Sequence, residues 1–111
     1  MAAADQLQTV RDQRARQLEL PAMPLDRVAL AKWNELLPAL RKVAPITVHT
    51  RELLTLYCTS WSRYVQAQNA LIADGLTTTT GAGGCKPHPA ARIAQSCVSQ
   101  LVQLGYHLNL P

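Results

Sequence analysis

The chain has 111 residues, 48% of them apolar and only 16% charged, with 11 Lys and Arg against seven Asp and Glu for a net charge of +4. That length holds one domain, or one domain with a tail, and the apolar share excludes wholesale disorder. With no Phe, two Trp and three Tyr, the core must be built from Leu, Ala, Val and Ile, and the mild basic excess is compatible with nucleic acid without establishing it.

Residues 1–20 place Arg11, Arg14 and Arg16 among Gln and Asp, with sparse apolar positions at Leu7, Val10 and Leu18. This composition suits a solvated helix or a mobile arm, ended by the stretch from Pro21 to Pro24. Asp26 then fits the N-cap of a helix reaching about Ala44, because Leu30, Trp33, Leu36, Leu37, Leu40 and Val43 recur at three- and four-residue steps. Pro38 lies inside that pattern, where it removes one hydrogen bond, so a kink or two abutting helices are expected. Pro45 stops the run.

The clearest helix follows. Thr47 or Thr50 can cap it, and Gly75 stands where a left-handed residue would end it after Asp74. Leu54, Tyr57, Cys58, Trp61, Tyr64, Val65, Gln68, Leu71 and Ile72 keep one face for about seven turns. Such a helix spans roughly 40 Å, more than a small domain needs to cover its own core. Together with the marginal stability of small domains, that excess points to an oligomer.

Residues 76–87 (LTTTTGAGGCKP) combine threonines of strand propensity with Gly81, Gly83 and Gly84, which suits a short hairpin or an exposed loop. A phosphate loop is excluded, because Lys86 is followed by Pro87 and no buried strand leads into the glycines. A last helix starts at Pro89, suited to the first helical position. It presents Ile93, Cys97, Val98, Leu101 and Leu104 on one face and ends at Gly105. The expected fold is therefore mainly α: three to four helices around a long central amphipathic one, with a Gly/Thr-rich loop or short hairpin before the last. The divisions are a basic arm or helix at 1–24, a helical module at 25–105 and a tail at 106–111.

Catalytic constellations are hard to find. Cys85 and His88 form one loose pair where zinc sites show two, and Cys58 and Cys97 sit on apolar helical faces as small hydrophobes. No base held by a third group accompanies a cysteine, and the seven acids stand singly on polar faces. The expectation is a non-enzyme with no metal and no cofactor. The three scattered cysteines suit a reduced compartment, no charged-then-apolar leader is visible, and no apolar run approaches the ~18 residues of a membrane span. A soluble, intracellular chain is expected.

One ordered set of motifs carries more. Trp33, Leu36, Leu37, Pro38 and Leu40 (WNELLPAL) precede a long helix holding Leu54 to Cys58 (LTLYC), then Trp61 and Tyr64. Gly75, a polar Gly-containing stretch, the junction Lys86, Pro87, His88 and Pro89, and a closing Leu104–Gly105 step follow. From about Leu25 to Gly105 this order resembles the conserved module of small terminase subunits of tailed phages, in the subgroup of cohesive-end packaging systems. The family commonly continues after Leu-Gly with a Leu-Thr-Pro-like turn and a basic tail. This chain instead continues YHLNLP, so contacts carried there would have to lie elsewhere.

The resemblance implies a non-enzymatic, ring-forming DNA-packaging factor of the host cytoplasm. It would bind double-stranded viral DNA at the packaging start and deliver it to the large terminase subunit, which holds the ATPase and nuclease. The basic residues proposed for DNA are Arg11, Arg14, Arg16, Lys86 and Arg92. Arg41 and Lys42 have a sufficient explanation in the dipole of the helix they end. Trp33, Tyr57, Trp61 and Tyr64 are assigned to the core or to a subunit contact, with Trp61 and Tyr64 expected against the last helix. Two rivals remain: a small dimeric helical transcription regulator, which would need a basic, base-reading second helix, and a helical protein–protein adaptor.

Overall fold

A computed structural model of the chain describes residues 2–75, 77–79 and 85–110, and side chains from residue 6 onward except at 77–79 and 85. Gly81, Gly83 and Gly84, and the Cys85 thiol, lie outside the described residues. Four helices are present: α1 (Ala2–Leu18), α2 (Arg27–Val43), α3 (Val48–Asp74) and α4 (Pro89–His107). Strands β1 (Thr77–Thr79) and β2 (Cys85–Pro87) pair antiparallel between α3 and α4, with Thr78 opposite Lys86.

Local chemistry sets most of the boundaries. Asp26 caps α2 by accepting from the Ala29 N–H at 2.9 Å, and Thr47 caps α3 by accepting from Thr50 at 3.1 Å. Helix α2 runs unbroken through Pro38, which is exposed, so the helix is one and not two. Gly75 ends α3 at φ +84 and ψ 174, a region essentially restricted to glycine, and its N–H closes the Leu71 carbonyl at 2.8 Å. The residue has positive φ as expected, but an extended ψ sends the chain away into β1.

The end of α4 differs from expectation. The helix continues through Gly105 to His107, because the left-handed residue is Asn109, at φ 56. The Asn109 N–H donates to the Tyr106 carbonyl and the Leu110 N–H to the Gly105 carbonyl, the paired bonds of a Schellman ending. This turn folds the last residues back, so Leu108 is buried and Leu110 packs on the core. Gly105 lies within the helix beside Tyr57, where a Cβ would meet the ring at 3.7 Å, an ordinary contact.

Helix α3 is the spine. Helix α2 lies along its first half, where Ala29, Trp33, Leu37, Leu40, Ile46, Leu54, Cys58 and Leu108 form the main core. Helix α4 runs back along α3, from Asp74 beside His88 to Ser60 beside Gln100 and Tyr57 beside Gly105. Ala67, Ala90 and Ala94 form a second, small-residue cluster, with Tyr64, Ala70 and Leu71 packed on it. The buried line of α4 is therefore Ala90, Ala94 and Cys97, while Ile93 and Val98, expected inside, are about half exposed. Ile72 of the α3 stripe is likewise 81% exposed, on a side of α3 that neither α2 nor α4 covers.

The molecule is elongated, 78 × 24 × 17 Å, with a radius of gyration of 19.4 Å. A compact chain of this length would have about 13 Å. The 27-residue α3 accounts for roughly 40 Å of the long axis. Helix α1 extends it, with Leu7 and Val10 largely exposed.

Candidate nucleic-acid interface

The segment joining α1 to α2 is tied down from three sides. Trp33, 1% exposed, donates its Nε1–H to the Glu19 carbonyl at 3.2 Å. Arg51 of α3 donates to the carbonyls of Leu20 and Pro21 at 2.6 and 3.0 Å, and the Ala22 N–H donates to Thr55 Oγ1 at 3.0 Å. The Glu19 carboxylate accepts from Arg41 Nη1 at 3.0 Å. Leu18 and Leu25 close the arrangement by packing on the main core. Residues 18–25 thus belong to the folded body, although their composition reads as part of an arm.

This staple fixes the base of α1 against the C-terminal end of α2, and an open groove of about 670 Å³ lies between them. Arg11, Arg14, Ala15, Leu18 and Glu19 line one wall, and Arg41, Lys42 and Val43 to Ile46 line the other. Arg11, Arg14 and Leu18 fall at steps of three and four, so they share one helical face. Arg16 points elsewhere, its Nε donating to the Asp12 carbonyl at 3.3 Å on its own helix. The groove thus joins two of the three arm arginines to Arg41 and Lys42. No sequence pattern links these pairs, because they stand some thirty positions apart.

Lys86 and Arg92 are elsewhere. Lys86 is exposed on β2, and Arg92 is exposed one turn into α4. Both sit by the C-terminal end of α3, whereas the groove adjoins its start. The five basic residues therefore fall into two groups separated by most of the length of α3, and Arg16 lies outside the groove lining.

The aromatic residues divide as well. Trp33 is core, Tyr57 is half-buried against the main cluster, and Tyr64 packs on the alanine cluster that α4 completes. Trp61 faces α2 rather than α4: Lys32 Nζ lies 4.3 Å above its ring, and the Tyr64 ring is 5.9 Å away. Lys32 also pairs with Glu35, so the contact is a cation over an aromatic face on a partly exposed seam.

Asp26, Ser62, His88 and Asp74 are engaged within the fold. Ser62, 1% exposed, donates to Asp26 Oδ2 at 2.6 Å; this bond, then the Ala29 N–H, holds the Asp26 carboxyl below its ordinary range. Burial pushes the Cys58 thiol up to about 12, far from a usable nucleophile. His88 accepts from the Ala90 N–H through Nδ1 and meets Asp74 through Nε2 at 3.0 Å. It therefore caps α4 and ties the cap to the end of α3. Among the described residues no cluster of three His, Cys, Asp or Glu side chains is arranged for a metal, and no helix is long and apolar enough to cross a membrane. Helix α3 is poorly equipped to read bases: of its two arginines, Arg51 is spent on the staple, leaving Arg63.

Compared with known families, residues 29–110 match the one described as phage terminase, small subunit. The chain belongs to that family. No curated protein and no solved structure matches it. The matched span of this terminase small subunit starts at the third residue of α2 and includes Leu108 and Leu110, so the Schellman ending lies within it. Helix α1 and the stapled segment precede it. One wall of the groove is thus inside the family's span and the other outside.

Proposed function

We propose that this terminase small subunit is a non-catalytic packaging factor of the host cytoplasm. It binds double-stranded viral DNA at the packaging start and passes it to the large terminase subunit, working as a ring. Family membership across residues 29–110 is the observation that carries the reading. The elongated shape and the exposed apolar positions on α4, Val98, Val102 and Tyr106, support assembly, because such residues are costly to leave in water on a chain this small. Phosphates would be met by Arg11, Arg14 and Arg16 at one end and by Lys86 and Arg92 at the other.

Native mass spectrometry with and without duplex DNA and the large subunit tests this reading. A ring of about eight to twelve copies that takes up both partners is the expected result. A dimer that binds DNA alone would move the chain to the regulators, and a monomer that binds neither would end the packaging reading.

A further inference from the structure

We infer that the groove between α1 and the end of α2 is the seat of a nucleic-acid backbone, gripped by Arg11, Arg14 and Lys42, and that Glu19 restrains it by occupying Arg41. The inference rests on the DNA-binding reading and gives it a location.

Four cations from two separate helices converge on one open groove, and only one is committed. Arg41 is paired with Glu19 at 3.0 Å. Among the described residues no ion pair holds Arg11, Arg14 or Lys42. Between the cations the walls are apolar, with Ala15 and Leu18 on one side and Val43, Ala44 and Pro45 on the other. Val43 is 77% exposed. Cations interleaved with apolar side chains along an open groove suit a sugar–phosphate backbone, whose phosphates take Arg and Lys while its sugars offer apolar surface.

The staple matters because it sets the spacing of the two walls before any ligand arrives. Trp33, Arg51 and Thr55 hold residues 19–22 to both α2 and α3, so ordering the groove costs little on binding. Glu19 has two separable roles. Its carbonyl is part of the staple, whereas its carboxylate lies in the groove, where it neutralises Arg41 and repels phosphate. Glu19→Gln keeps the carbonyl and an amide oxygen that can still accept from Arg41, and removes only the charge that neutralises Arg41 and repels phosphate.

The test is fluorescence anisotropy with a labelled random-sequence duplex, titrated across a range of KCl concentrations. Replacing Arg11, Arg14 and Lys42 together by Ala should weaken binding at least about tenfold and flatten the log–log salt dependence by two to three units, at about 0.9 per phosphate contact. Glu19→Gln should tighten binding several-fold. Arg27→Ala, which removes a charge at the far end of α2, and Glu35→Gln, which removes a carboxylate outside the groove, should leave it unchanged. Because the gain in Glu19→Gln cannot come from misfolding, it stands even if the triple variant proves unstable.

Wild-type protein that fails to bind the duplex overturns the DNA reading itself. Wild-type binding with an unchanged triple variant, or with Glu19→Gln no tighter, overturns the groove alone. A triple variant that keeps DNA but loses the large subunit would assign the groove to an acidic protein segment and equally overturn the inference.

Discussion

Against α2, helix α3 buries Leu54 and Cys58 under Trp33, Leu37 and Leu40; against α4 it offers Ala67 to Ala90 and Ala94. The first contact is stabilised by volume. Large side chains interdigitate, and most of the favourable energy is apolar surface removed from water. The second relies on close approach. Small side chains let the two backbones come together, and the larger neighbours Ile93, Val98 and Val102 are left facing outward. One helix thus serves two packing regimes, and its buried polar groups (Thr55, Ser60 and Ser62) are all paired: among the described residues no buried side-chain nitrogen or oxygen lacks a partner.

The most severe way to break this contrast is at Trp33. Trp33→Ala empties the largest buried volume of the α2 side and leaves the Glu19 carbonyl without its donor. A loss of about 3–5 kcal/mol is expected, read as a drop in urea midpoint or melting temperature by circular dichroism. A loss under about 1 kcal/mol would mean that the α2 contact is not held by volume.

On the α4 side the opposite substitution is informative. Ala94→Leu should destabilise by about 1–3 kcal/mol, because the added carbons have no space between closely packed helices. Ile93→Ala, beside it but half exposed, should cost well below that. Equal costs at the two positions would show that α4 is held by its larger side chains after all.

These two sites also show what the sequence could disclose. The Asp26 cap, the first-turn Pro89 and the Trp33–Leu37–Leu40 stripe were legible, and the α3 cap was narrowed to Thr47 or Thr50, since each depends on residues within a turn or two. Ala90 and Ala94 were not, because alanine carries a weak apolar signal and Ile93 beside them carries a strong one. Hydrophobicity predicts which residues prefer burial, whereas a close helix pair selects those small enough to allow it. Leu108 was missed for a different reason: Gly105 attracted the helix end, although Asn109 supplies the left-handed turn. The groove was hidden by distance. Its two walls are joined by the Glu19–Arg41 pair, 22 positions apart, and its base by Arg51, 30 and 31 positions from the carbonyls it holds. The arm arginines were legible as a cluster, but their separation into Arg11 and Arg14 on one side and Arg16 on the other needed the helix to be placed.

The smallest expected effect concerns the polar seam that joins α2 to α3. Ser62 is buried, and its hydroxyl donates to an Asp26 carboxylate that is itself exposed. Ser62→Ala should therefore cost no more than about 1 kcal/mol at neutral pH, since water replaces the lost donor at the carboxylate. The pH dependence distinguishes this bond from simple packing. Because the folded state holds the Asp26 carboxyl below its ordinary value, its contribution is fully present above the unfolded-state pKa of about 3.9 and is lost as pH falls through the lower folded value. The wild-type advantage over Ser62→Ala should persist at pH 7 and shrink in acid, and NMR titration should place Asp26 higher in the variant. An advantage that stays constant down to pH 2 would assign Ser62 to packing alone. The seam would then differ from the alanine contact in shape only, and the charge on Asp26 would serve α2 solely as a cap.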